Sequence, residues 1–249
     1  MTEVDVPESH PRYESLLTRH RIEAGVEKGI TSKQGLIAQG RGEAYDYLLG
    51  ERTIPSADEA ARVAAAHFRL ADQAVVSVNG NVAALCPGEV VELADATGAD
   101  IEVNLFNRTA ERMERIADHL REHGAEAVLG LSADGRIPGL DHERATVDAD
   151  GIGSADVVLV PLEDGDRAEA LAAMGKTELV IDLNPLSRSA QSASVPIVDN
   201  VIRAIPNITE HARDLRDAPE TALRDVIDGF DPETALGTAE DAIRSGDLD

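Results

Sequence analysis

The chain has 249 residues, 43% hydrophobic but only 2% aromatic, with 47 acidic against 23 basic side chains and a net charge of −24. That surface would be repelled by a phosphate backbone, which argues against nucleic acid as a partner. Its single cysteine, Cys86, excludes an intramolecular disulfide and any cysteine-cluster metal site.

The length suits one α/β domain over 1–249, with helices over 1–72, a sheet-bearing core over 73–206 and C-terminal helices over 207–249. No signal-peptide pattern and no membrane-length apolar run is present, so a soluble cytoplasmic protein is expected. Lysine occurs only at Lys28, Lys33 and Lys176, and alanine is abundant. With the acid excess spread along periodic segments, this composition resembles that of halophilic proteins. At about 1 M salt the Debye length is ~3 Å, so such a surface repels itself little.

In chain order, Pro11 to Lys28 reads as a helix ended by Gly29. Thr31-x-x-Gln34 predicts a capping box for a second helix that carries Gly35, Gly40 and Gly42. Each glycine costs roughly 1 kcal/mol against alanine there. Either a tight helix crossing or a ligand explains them, and Arg41 between two glycines is well placed to meet a phosphate. Ser56-x-x-Glu59 predicts the cap of a third helix, to Leu70. Strands and helices then alternate. Strands are expected at 74–78, 101–105, 127–129, 155–162, 179–181 and 195–198, and helices at 88–98, 109–123 and after Arg167. The alternation predicts a parallel sheet with helices on both faces. From Asn207 three short helices follow with no site-like cluster.

The strands end in polar groups: Asn79 and Asn81; Asn104 with Arg108; Glu163-Asp164-Gly165-Asp166-Arg167; Asp182 with Asn184 and Arg188; and Asp199-Asn200. In a parallel sheet these carboxyl ends share one edge, where ligands bind. Asp and Asn there suit a ribose or base, and Arg188 with Ser189 suits phosphate. Arg19, Arg41, Arg108, Arg167 and Arg188 form a candidate phosphate-binding island. Gly175-Lys176-Thr177 is not a P-loop, because position 170 is Ala170 and a helix precedes it. Gly151-Ile152-Gly153 is not a dinucleotide fingerprint, since Asp156 stands at the third glycine. His142, beside Glu143 and Arg144, reads as a solvated loop histidine more readily than as a base.

The runs HPRYESL (10–16), LIAQGRGEAYDYLLGERT (36–53), SVNGNVAAL (77–85), EVNLFNR (102–108), RIPGLDHER (136–144), ADVVLVPLEDGDRAEAL (155–171), IDLNPLSRSA (181–190) and IVDNVIRA (197–204) resemble the archaeal 4-phosphopantoate–β-alanine ligase family, across about 8–215. The resemblance implies a Rossmann-like α/β protomer in a homodimer. It also implies ATP-dependent joining of 4-phosphopantoate and β-alanine in coenzyme A biosynthesis, with ATP and Mg²⁺. It places ATP on Arg19, Arg41, Asp182, Leu183, Asn184, Arg188, Ser189, Asn200 and Val201, with Arg19, Arg41 and Arg188 offsetting charge at the transferred phosphorus. Strand-end position assigns Asn79, Asn81, Arg108, Asp164 and Arg167 to 4-phosphopantoate, and Asp164 or Asp166 to the vicinity of the metal. Gln39 stands where the resemblance leads one to expect histidine. A nicotinamide oxidoreductase and a non-catalytic nucleotide sensor are the alternatives, the first lacking its glycine fingerprint.

Overall fold

A computed structural model describes residues 6–7, 9–162 and 164–246. Three helices come first: α1 (Tyr13–Glu27), α2 (Lys33–Leu49) and α3 (Pro55–Leu70). The sheet strands are β1 (Ala74–Val78), β2 (Asp100–Val103), β5 (Val157–Pro161), β6 (Thr177–Asp182) and β7 (Val195–Val198). Between β2 and β5 lies a two-stranded ribbon, β3 (Gly135–Arg136) and β4 (Thr146–Val147). The helices among and after the strands are α4 (Gly80–Leu85), α5 (Pro87–Thr97), α6 (Ala110–Glu122), α7 (Gly165–Ala173), α8 (Arg188–Ser192), α9 (Val201–Asp214), α10 (Glu220–Asp228) and α11 (Pro232–Ser245).

The sheet runs β2-β1-β5-β6-β7, and every pair in it is parallel. The chain steps outward from β1 to β2 and then returns across β1 to β5. Strand order therefore reverses between β1 and β5, which opens a crevice at their carboxyl ends.

β1 and β5 are buried along their whole length, as expected of a parallel sheet covered on both faces. Alternate residues feed two cores. Val76, Val78, Ile101, Leu159, Leu179 and Ile181 pack with Phe68, Leu93, Ile116, Ile205 and Ile208 of α3, α5, α6 and α9. On the other face Val75, Val158, Val160 and Val180 pack with Leu171 of α7 and with Ile137, Leu140 and Val147 around the ribbon. Alanines replace the missing aromatics: Ala60, Ala61, Ala64 and Ala65 of α3 are almost wholly buried. Each large aliphatic side chain buried this way contributes roughly 1.5–3 kcal/mol.

Several local expectations need correction. Residues 127–129 make one isolated bridge, Leu129 to Glu102, and no strand. The α2 N-cap is Ser32, whose side chain makes no cap bond to the helix backbone, and Thr31 donates its hydroxyl to Asn81. Ser56 lies inside α3, which opens on Ile54-Pro55. Asn207 lies inside α9, capped by Asn200. α4 and α8 form where loops were expected, with Asn79 and Ser187 as caps. No helix among the described residues is long and apolar enough to cross a membrane.

Candidate active site

Two clefts meet at the reversal of strand order. One, of about 330 Å³, lies between α2 and the loop after β6 and is bordered by Arg41, Leu48, Asp182, Leu183, Asn184 and Ile243. The other, of about 250 Å³, lies over the ends of β1 and β2 and is bordered by Gln34, Asn79, Asn81, Phe106, Arg112 and Arg144. Arg41 and Leu162 border both. A larger cleft of about 410 Å³ sets Arg21 and Lys28 among Glu89 and Glu92 and is lined by no strand-end residue.

The crevice is stapled by Asn79. Its Nδ2 donates to the carbonyls of Pro161 (3.0 Å) and Leu162 (3.3 Å), while its Oδ1 accepts from the backbone of Asn81 (3.0 Å) and Val82 (3.1 Å). Leu162 itself has φ +54, a left-handed conformation that a branched side chain rarely adopts. Such backbone persists only where its surroundings hold it, and here it forms the ridge between the clefts.

The loop after β6 is tied to itself. Asp182 accepts from the Asn184 amide (3.1 Å) and the Ser187 hydroxyl (2.6 Å), and Asn184 Oδ1 accepts from the Leu186 amide (3.0 Å). The other cleft holds two guanidinium groups. Arg112 donates to the carbonyls of Ile30 (3.1 Å) and Asn107 (3.4 Å), which set the direction of its fork. Arg144 is buried beside Asp164, 3.9 Å away. Burial, and then the like charge of Arg167, push Arg144 down to about 10.

Behind the clefts, Arg203 is gripped by Glu14 (2.6 Å), Asp46 (2.5 Å) and Asp199 (3.1 Å). Burial raises Asp199 to about 6, against the pull of Arg203. Asp199 also accepts from Thr53 at 2.6 Å, so one buried network joins α1, α2 and the start of α9.

Comparison with known proteins matches residues 56–246 to the family model described as phosphopantothenate/pantothenate synthetase. A 4-phosphopantoate–β-alanine ligase of Thermococcus kodakarensis is 56% identical over 229 residues, covering 92% of this chain and 88% of that protein. One from Methanosarcina mazei is 53% identical over 94% of this chain and 92% of its own length. One from Methanospirillum hungatei is 51% identical over 90% and 91%. The chain belongs to the phosphopantothenate/pantothenate synthetase family.

Within this family member, the structure gathers only part of the expected residue set. Arg41, Asp182, Leu183 and Asn184 share one cleft, and Asn79, Asn81 and Asp164 share the other with Arg41. Arg19 stands elsewhere. Its Nε donates at 2.8 Å to Glu43, which also holds Arg12 and the Tyr47 hydroxyl (2.6 Å). Glu43 is about 200° around α2 from Arg41 at 100° per residue, so the two arginines flank the helix on opposite sides. The Arg19 hydrogen bond, more than burial opposes it, brings Glu43 down to about 2.

Arg188 forms a two-pronged pair with Glu169, both contacts 3.0 Å, on an exposed surface, while Ser189 is buried. Val201 lies in the main core, and the Asn200 amide is engaged by Asp46 (3.1 Å) and the Ile202 backbone (3.5 Å). Arg108 donates to the Gly130 carbonyl and borders neither cleft. Arg167 is wholly buried beneath the sheet, 3.2 Å from the Ser77 hydroxyl, because this position of α7 faces the second core. Glu163 lies outside the described residues. His142 is only partly solvated: it pairs with Asp166 at 3.0 Å and lies against Phe106, ring centroids 5.3 Å apart.

Sequence reasoning passed over Arg112, Arg144 and Ile243. Arg144 closes the run RIPGLDHER and had a signal there. Arg112 looked like an ordinary first-turn helix residue, and Ile243 like part of a tail. For Mg²⁺, no group of three His, Cys, Asp or Glu able to hold a metal occurs among the described residues. Asp166 pairs with His142 and Asp164 flanks Arg144, and a magnesium ion carried mainly by nucleotide phosphates and water would need no such three-ligand group.

Proposed function

We propose that this protein is an ATP-dependent ligase that joins 4-phosphopantoate to β-alanine, giving 4′-phosphopantothenate, AMP and pyrophosphate for coenzyme A biosynthesis. Family membership and the names of the relatives support the overall reaction. The observation that carries its layout is the position of Arg41, which borders both clefts. The nucleotide occupies the cleft of Asp182 and Asn184. The phosphorylated acid occupies the cleft of Asn81, Arg112 and Arg144, whose two guanidinium groups suit phosphate and carboxylate.

A carboxylate is too poor an electrophile to react with an amine, so it is activated first. One carboxylate oxygen of 4-phosphopantoate attacks the α-phosphorus of ATP, and the bond to pyrophosphate breaks. The β-alanine nitrogen then attacks the acyl carbon, AMP leaves with the bonding electron pair, and the amine proton passes to solvent. Arg41 sits where the two reactants meet and offsets the charge that gathers on the transferred phosphorus. The clefts hold the partners in register, and positioning of that kind supplies much of the rate. No step is assigned to a protein-held metal. Exposed Ile37 and Tyr47 on α2 support a homodimer, and sedimentation will measure it.

Acid labelled with ¹⁸O in its carboxylate tests the scheme. One labelled oxygen is expected in AMP and none in pyrophosphate. ADP, with label in orthophosphate, would replace the adenylate with an acyl phosphate. Failure to consume ATP with both substrates present would remove the ligase reading.

A further inference from the structure

The C-terminal helix α11 has no site-like cluster in its sequence, yet Ile243 reaches the cleft of Arg41, Asp182 and Asn184. The helix is held firmly there. Ala239 and Ala242 are buried against Tyr45, Leu49 and Val198, and these small side chains let α11 come close. Ile243 and Leu183 remain only partly buried at the edge of that cluster, so both keep apolar surface toward the cleft. α11 also meets the same loop from its other side, where Leu236 and Glu240 border a cavity with Pro185 and Leu186. The loop that carries Asp182 and Asn184 is thus backed by α11. Leu48 of α2, a large apolar side chain left 56% exposed, borders the same cleft.

We infer that Ile243, Leu48 and Leu183 form an apolar slot that takes the purine ring of the nucleotide, with Ile243 as a residue that determines nucleotide affinity. The inference rests on the nucleotide assignment proposed above. The chemistry of the three reactants selects the occupant. Only the nucleotide carries a broad, flat face whose burial removes apolar area from water. The acid is a short branched chain bearing phosphate, hydroxyl and carboxylate, and β-alanine is a small zwitterion. Asp182, Asn184 and Arg41 at the same cleft then meet ribose and phosphates.

The test compares the wild type with Ile243→Ala and Ile243→Asp, titrating each with ATP and separately with inorganic tripolyphosphate, which has charge but no base. ATP affinity should fall roughly tenfold, the scale on which an apolar pocket responds to lost methylenes. Tripolyphosphate affinity should hold, and KM should rise for ATP but not for 4-phosphopantoate or β-alanine. If Ile243→Asp does not fold, Ile243→Ala gives the same readout. Unchanged ATP affinity in a folded variant overturns the inference, and so does an equal loss for ATP and tripolyphosphate, which marks a merely structural role. Wild-type protein that binds ATP through Ile243 but makes no amide would overturn the ligase reading alone.

Discussion

A β-carbon at position 42 would stand 3.2 Å from Asn200 Nδ2, so α2 touches the start of α9 at a glycine. One turn further along, Asp46 accepts from the same Nδ2 at 3.1 Å. At the other end of α2, Asn81 Nδ2 donates to the Gly35 carbonyl at 3.2 Å. Two asparagines at strand ends therefore clamp α2 over the edge of the sheet, and Arg41 between the clamps is held at the ridge that separates the clefts.

Gly42 and Gly40 should respond with opposite sign. Gly42→Ala crowds Asn200 and is expected to cost roughly 1–3 kcal/mol, as overpacking does. Nothing lies within 4 Å of a β-carbon at Gly40. Gly40→Ala should therefore gain about 0.5–1 kcal/mol from helix propensity. Urea unfolding of both variants measures this, and a shared sign would refute the clamp.

Arg41→Lys replaces a planar fork with a point charge at the junction of the clefts. We expect kcat/KM to fall by an amount equivalent to about 1–3 kcal/mol, for ATP and for the acid alike. Steady-state kinetics with each substrate varied in turn provides the measurement. A loss confined to one substrate would place Arg41 in one cleft only.

Arg112 is half-buried and held by two carbonyls, so Arg112→Met should leave the fold intact. Its removal should raise KM for 4-phosphopantoate by the equivalent of roughly 1.5–3 kcal/mol, the worth of a charged hydrogen bond. KM for ATP should barely move. The reverse pattern would exchange the occupants of the two clefts.

Glu178 supplies a pH prediction. It is wholly buried, and neither carboxylate oxygen has a hydrogen-bond partner among the described residues. Burial pushes it up to about 8, with Arg167 pulling the other way. The unfolded chain releases this proton near the ordinary value of about 4.3. Between there and about 8 the folded state binds more protons, so its contribution makes stability fall as pH rises. Glu102, raised to about 7 by burial, adds a decline of the same sign. Glu178→Gln should flatten the fall in thermal midpoint from pH 5 to pH 8 and be the more stable form at pH 8. An identical decline in both proteins would show that Glu178 is ionised throughout.

The net charge of −24 gives a salt prediction. Self-repulsion weakens as ions screen it. The thermal midpoint is expected to climb from low to molar KCl, and a flat response would exclude a salt-dependent fold.

Much of the architecture could be read from local pattern. Val75-Val76, Val157 to Val160 and Leu179 to Ile181 are short β-branched or aliphatic runs that hardly any helix would choose, and the helices between them force parallel pairing. The polar ends of those runs marked the edge at which the two clefts lie, and two glycines marked Arg41, which borders both. What each arginine does was decided only in three dimensions. Arg167 follows a strand end just as Asn81 does, yet the phase of α7 turns it under the sheet into a core that also holds Glu178. Arg19 finds Glu43 on the neighbouring helix, and Arg108 finds a backbone carbonyl. Arg112, Arg144 and Ile243 lie up to 131 positions apart in sequence, and they reach the clefts only because α6, the ribbon and α11 pack there. Periodicity reports which face of an element is buried; which partner covers that face, and where the remaining polar side chains then point, depends on contacts between distant segments.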